Sequence, residues 1–280
     1  MWSHVTRHVT FPPSAHSLYI EPVFTICKSV TKSMDQYGEI HRILVTYVRA
    51  VRTVPADVLT RKAEILGAKF GLETEPQVLL RDLISTINVN IEKLGFKIDV
   101  VRDQDTSVVR YVFVNTRFDE FIQGCTAYTP AELDAIKHLI DSIVESREYA
   151  YSVLYAMAKQ QTTAVLKQRT SDAVVLLRRL VEDGWFEMTD LDRMVLSLLC
   201  LAELRTYLDD KYGVLTDSDA QGKLLRCNVC EELATMGRKC RGCHVAFHHK
   251  CYTVYERGHD QCPNGQCRES IRETVVVGPN

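Results

Sequence analysis

Residues 227–267 read CNVCEELATMGRKCRGCHVAFHHKCYTVYERGHDQCPNGQC. Seven of the ten cysteines fall in this stretch, while Cys27, Cys125 and Cys200 are scattered singly. CNVC (227–230) and CRGC (240–243) have Cys-x₂-Cys spacing, at which two thiolates clasp one zinc ion. His248 and Cys251 follow as His-x₂-Cys, and CPNGQC (262–267) ends the series with four residues between its cysteines. Structural zinc takes four thiolate or imidazole ligands in a tetrahedron, so eight ligands imply two ions. Nine residues separate the first two pairs, and His248-x₂-Cys251 comes after both, which points to interleaved sites. Cys227, Cys230, His248 and Cys251 would hold one zinc, and Cys240, Cys243, Cys262 and Cys267 the other. A closed four-ligand site leaves no open coordination position, so this zinc is structural and not hydrolytic.

The last pair raises its own question. Asn264-Gly265 predicts a tight turn with positive φ, which lets two added residues loop outward while Cys262 and Cys267 still converge. His259-x₂-Cys262 also has ligand spacing, making His259 the alternative to Cys267. Thiolates suit structural zinc, and His259 precedes the Cys-Pro turn, which favours Cys267. A segment of roughly 45 residues this rich in Arg, Gly and His cannot build an adequate apolar core. Metal, worth roughly 10–16 kcal/mol per site in model peptides, supplies most of its folding energy. No βαβ pattern surrounds either Cys-x₂-Cys pair, which argues against a thioredoxin-like redox role.

Upstream, hydrophobic periodicity takes over. GEIHRILVTYVRAVR (38–52) places Ile40, Ile43, Leu44, Tyr47, Val48 and Val51 on one helical face. Pro55 suits the first position of a second helix, and a third opens at Glu75–Pro76 and stops at Gly95. FKIDVV (96–101) and VVRYVFV (108–114) read as a hairpin across a polar turn. Three helices followed by a hairpin is the order of a winged helix. A second such unit follows. It has a helix over 129–146 capped by Thr129, a short helix near 150–158, a helix from 170 stopped by Gly184, and a short aromatic strand. TDLDRMVLSLLCLAELRTYL (189–208) reads as a further helix capped by Thr189. The expected architecture is α+β: a poorly ordered arm (1–35), winged helix A (36–120), winged helix B (125–210), a linker (211–223), a two-zinc cross-brace finger (224–270) and a tail (271–280).

The whole-chain properties exclude other classes. A formal net charge of −2 over 280 residues gives no reason to expect strong nucleic-acid binding. No apolar run reaches the ~20 residues of a membrane span, and the N-terminus lacks the pattern of a signal peptide. Clustered cysteines suit metal binding in a reducing compartment inside the cell. The candidate recognition helix, PQVLLRDLISTINVNIEKLG (76–95), carries only Arg81 and Lys93 as cations, so a core or partner-facing role is expected. Arg178 and Arg179 form a short basic pair with acids nearby, fitting a solvated face equally well. No P-loop, GxSxG or HExxH stretch is present.

Cys₄-His-Cys₃ is the ligand order of PHD fingers and of variant RING fingers. A PHD finger places Trp two residues before its seventh ligand, where this chain has Asp260. Val229, Pro263 and Arg268 resemble RING positions that form the groove for a ubiquitin-conjugating enzyme and bind its ubiquitin. With winged-helix order over 38–114 and GWFEM (184–188) after a helix, the chain resembles the non-SMC element 1 family. That family supplies the variant-RING subunit of the Smc five/six DNA-repair complex. The resemblance spans roughly residues 38–268. It implies a nuclear, chromosome-associated protein that pairs with a MAGE-type winged-helix subunit, contacts a kleisin subunit and meets DNA mainly through the complex. It also implies weak, partner-aided RING-type ubiquitin ligase activity in DNA repair and recombination, with no catalytic nucleophile. Two features depart from the family: the Cys-x₄-Cys pair, and the missing Trp before Cys262. A non-enzymatic adaptor and a PHD-like chromatin reader are the alternatives.

Overall fold

Ile40, Leu44 and Val48 recur at helical spacing along α1 (Glu39–Val51) and are buried. The computed structural model describes residues 36–116 and 128–279, so the expected arm, Cys27 and Cys125 lie outside the described residues. α1 ends at Arg52, which takes a left-handed φ of 59° and turns the chain into β1 (Thr53–Pro55). Pro55 therefore closes a strand and is the N-cap of α2 (Ala56–Phe70), not its first residue. Gly71, at φ 68°, ends α2 in the left-handed conformation that L side chains disfavour. Glu75 then caps α3 (Pro76–Ile91) by accepting from the Val78 N–H, with Pro76 at the first helical position.

α3 buries Leu79, Leu80, Leu83, Ile84, Ile87 and Ile91, the spine of the first core. Burying such a side chain stabilises the fold by roughly 1.5–3 kcal/mol. Asn88 locks the helix to β2 (Phe96–Arg102): its Oδ1 accepts from Ile98 N–H at 2.8 Å, and its Nδ2 donates to Ile98 O at 2.9 Å. β2 pairs antiparallel with β3 (Val109–Asn115), and the sheet order is β1-β3-β2. This α-β-α-α-β-β unit is a winged helix whose wing is the β2–β3 loop.

The same order repeats. Thr129 and Glu132 form a capping box at α4 (Pro130–Val144), with Pro130 at the first turn. β4 (Val153–Leu154), α5 (Tyr155–Leu166) and α6 (Thr170–Glu182) follow, then β5 (Phe186–Met188) and β6 (Arg193–Leu196) in sheet order β4-β6-β5. Two expectations change here. The short helix near 150–158 is replaced by β4 and the longer α5. The helix expected from 189 begins only at Leu198, because 193–196 pairs with β5 as the second wing strand. Thr189 closes that wing, its hydroxyl accepting from Arg193 N–H, while Asp192 takes φ 54°. α7 (Leu198–Glu203) and α8 (Arg205–Tyr212) follow, with Ser197 capping α7 through Cys200 N–H.

The segment expected to link unit and finger is packed, and Tyr151 donates to Lys223 O at 2.7 Å. The finger contains β7 (Gly237–Cys240), β8 (Ala246–Phe247), α9 (His249–Glu256) and β9 (Thr274–Val277), in sheet order β8-β7-β9. β9 falls in the expected tail, so the finger's sheet extends beyond residue 270. Phe247, Ile271 and Val277 share one core with Leu208 and Tyr212 of the second unit. Val101, Val112 and Val114 of the first sheet pack on Leu199 of α7. No helix among the described residues is long and apolar enough to cross a membrane.

Candidate metal centres

Each pair of candidate ligands is set by a local backbone device. At the first, Glu231 N–H bonds back to Cys227 O at 2.8 Å, and Glu231 takes φ 60°, curling 227–230 into a knuckle. At the second, Cys240 N–H bonds Val245 O at 2.8 Å. Gly237 permits the approach of β7 to β8: it sits at φ 147°, and a Cβ there would lie 2.0 Å from Phe247 O. His248 is the N-cap of α9 and Cys251 lies in its first turn, so helical geometry puts these two on one face.

Cys227, Cys230, His248 and Cys251 converge, their ligand atoms all within 4.8 Å of one another. Cys240, Cys243, Cys262 and Cys267 form a second group under the same limit. None of these cysteines is in a disulfide. Zinc–sulfur bonds of about 2.3 Å in a tetrahedron set sulfur atoms about 3.8 Å apart. Cys240 Sγ and Cys267 Sγ are 3.7 Å apart, and Cys243 Sγ and Cys262 Sγ 3.5 Å. Cys230 Sγ lies 3.3 Å from His248 Nδ1, near the slightly shorter sulfur–nitrogen edge. His248 Nε2 donates to Leu233 O at 3.0 Å, which leaves the Nδ1 lone pair facing the thiols, as a ligand requires. The residues fit two tetrahedral ions.

Electrostatics agree with the geometry. Burial, with the negative charge of Cys227 beside it, pushes Cys230 up to about 11 and Cys251 to about 12. Burial also opposes ionisation of Cys227, but in the metal-free cluster the His248 ring and the backbone N–H groups beside its sulfur draw it down to about 6. Thiols this crowded cannot all ionise without a cation among them. The clusters are therefore poised for a divalent metal.

His259 stands apart from the second cluster. Its ring stacks on Tyr255 with centroids 4.1 Å apart, and its Nδ1–H donates to Tyr255 O at 3.0 Å. The CPNGQC turn also differs from expectation, because neither Asn264 nor Gly265 has positive φ. Asn264 makes the turn with its side chain, Oδ1 accepting from Gln266 N–H at 2.9 Å while Cys267 N–H bonds Asn264 O at 2.9 Å. Asp217, before the finger, then accepts from Asn264 Nδ2 at 3.3 Å and pairs with His244 at 3.1 Å.

The remaining candidates lie at the surface. Val229 is 48% exposed, Pro263 is half-buried, and Arg268 is exposed with no hydrogen-bond or ion-pair partner among the described residues. Sequence reasoning passed over Val254 on α9, which is 60% exposed. Arg81 is paired with Asp82, Arg178 with Glu182, and Arg179 with Glu132 while stacking over Tyr128. Those cations form ion pairs within the chain.

Tandem winged helices ending in a finger with two interleaved Cys/His clusters define a RING-like protein of mixed α and β structure. The RING-like domain model matches residues 227–267, and the model described as the Nse1 non-SMC component of the SMC5-6 complex matches residues 44–204, more than half of the chain. The chain belongs to the Nse1 family. It is 24% identical over 244 residues to non-structural maintenance of chromosomes element 1 of Schizosaccharomyces pombe, covering 87% of this chain and 97% of the relative. The human homolog is 23% identical, covering 66% of this chain and 67% of its own. A solved chain from an Nse1-Nse3-Nse4 complex shares the fold at a TM-score of 0.73 and 18% identity, over 86% of this chain and 99% of that one.

Proposed function

We propose that this chain is a zinc-dependent RING-type ubiquitin ligase subunit of the SMC5-6 complex, nuclear and chromosome-associated, acting in DNA repair and recombination. The convergence of eight ligands into two groups with tetrahedral spacing supports this reading most directly. Two zinc ions fix the knuckles in place. Surface side chains then do the work: exposed Val229 and half-buried Pro263 offer apolar surface to a ubiquitin-conjugating enzyme, and exposed Arg268 is available to hydrogen-bond the ubiquitin it carries. Such a ligase forms no covalent intermediate; it orients a charged conjugating enzyme for attack by a substrate amine. Partners follow from the family: Nse3, a MAGE-type winged-helix subunit, and Nse4, a kleisin. With its recognition-helix cations paired or sparse, the chain meets DNA mainly through those partners.

An in-vitro ubiquitylation assay with the MAGE-type partner tests the ligase. Val229→Ala or Arg268→Ala should each lower product by about tenfold, roughly 1.4 kcal/mol of transition-state stabilisation, with zinc content unchanged. Absence of product with every conjugating enzyme tried favours a second reading, a non-enzymatic adaptor. The observation behind that reading is the inserted Asn264, tied to Asp217 beside the conjugating-enzyme position Pro263. A PHD-like reader would instead require binding to a histone-tail peptide panel.

The ligand assignment has a separate test. Cys267→Ala should lower zinc from two ions per chain to one by elemental analysis. His259→Ala should leave two, and the opposite pattern would exchange their roles.

A further inference from the structure

The wing of the first winged helix is turned onto the finger. Asp103 shapes the loop by accepting from the Asp105 and Thr106 N–H groups. Gln104, next to it, presents its side-chain carbonyl across the boundary. Oε1 accepts from the backbone N–H of Thr235 and of Met236, both at 2.9 Å, with the Thr235 hydroxyl at 3.4 Å. Two backbone donors can be met only by oxygen, so the orientation of the amide is fixed.

Those donors belong to a strap over 232–236 that carries the first metal site. Leu233 O accepts from His248 Nε2 at 3.0 Å, and Glu232 O accepts from Cys227 N–H at 2.9 Å. Two of the four ligands are thus oriented by backbone that the wing holds from the other side. Leu233, Ala234 and Thr235 are buried, so water does not readily replace Gln104 as acceptor.

We propose that Gln104 is a positioning residue of the first metal site, presetting from the first winged helix the strap that aims His248 and Cys227. The proposal rests on the zinc reading above. Partners that orient a ligand typically change metal affinity by about 10–100-fold, and Gln104 acts one step further out, so the low end is expected. By linkage, an ion in this site in turn steadies the wing.

Zinc release from the 280-residue chain into a chromophoric chelator tests this. Wild type carrying fewer than two ions refutes the zinc reading itself, before any variant is compared. With two ions present, Gln104→Ala should release one about tenfold faster and the other at the wild-type rate. Gln104→Glu, whose carboxylate accepts the same two bonds, should restore the slow rate. In a Cys267→Ala background, which keeps only the first ion, the tenfold acceleration should persist. Unchanged release, equal acceleration of both ions, or no rescue by Glu would overturn the proposal. If Gln104→Ala does not fold, wild-type hydrogen exchange carries the test: chelation should expose the Ser107 amide, which bonds Asp103 O in the wing. Unchanged exchange there would overturn it.

Discussion

Removing zinc from the 280-residue chain will strip hydrogen-exchange protection from the finger while the core of the first winged helix, away from its wing, keeps its own. The finger's regular structure is slight: a three-stranded sheet with one strand of two residues, and an eight-residue helix. Its apolar side chains join the second unit's core rather than forming a separate one. Structural zinc contributes roughly 10–16 kcal/mol per site in model peptides, more than this packing could replace. The first core, built on α1, α2 and α3, is a separate cluster and has no metal ligand in it. Amides such as Cys240 and Tyr252 should therefore exchange freely after chelation, while Ile98 stays protected. Finger amides that remained protected in metal-free protein would refute a structural role for the ions. Acid should act in the same direction. Metal holds these thiolates ionised far below the free-thiol value of about 8.5, so at neutral pH the unfolded chain binds more protons. Stability conferred by the metal is then lost as pH falls, and the finger should loosen at a higher pH than the winged helices.

What the sequence discloses depends on how local its signals are. The cysteine and histidine spacings show which ligands meet, because the knuckles and the first turn of α9 are built from adjacent residues. The β2–β3 hairpin and α3 are legible for the same reason: alternation and helical periodicity are uninterrupted there. β6 is hidden because RMVLSLLCL is one apolar run, and periodicity alone does not separate a buried strand from a buried helix. Its turn also lacks glycine, and Asp192 adopts the left-handed conformation unaided. β9 lies beyond the last ligand and is stabilised by pairing with β7, a partner more than thirty residues back. Gln104 contacts Thr235 across 131 positions, and Arg52 contacts Glu203 across 151. Contacts at such range leave no periodic trace, so the joints between units emerge only from the structure.

Arg52→Ala should destabilise the chain by about 1–3 kcal/mol, below the full cost of breaking a buried ion pair because the cation is partly in solvent. Arg52, at the end of α1, places Nη2 2.8 Å from Glu203 Oε2 at the end of α7, and Asn115 N–H bonds the other carboxylate oxygen at 3.3 Å. The guanidinium also lies over the Trp185 ring at 5.7 Å. Glu203 is only 4% exposed, whereas Arg52 is 39% exposed, so the solvent already screens the cation and the burden falls on the buried carboxylate. Burial raises the Glu203 pKa, and Arg52 restrains that rise. Without Arg52 the pKa climbs further. A raised carboxyl pKa means stability present at low pH and lost as pH rises through the folded value, so the gap to wild type should narrow as pH is lowered from neutral. The discriminating variant is the double one. Adding Glu203→Gln removes the stranded charge while keeping an oxygen for Asn115 N–H, so it should recover most of the loss in urea unfolding followed by Trp185 fluorescence. Additive losses in the two single variants would mean that the pair merely packs. Recovery would identify this ion pair as the electrostatic hinge pin between the two winged helices.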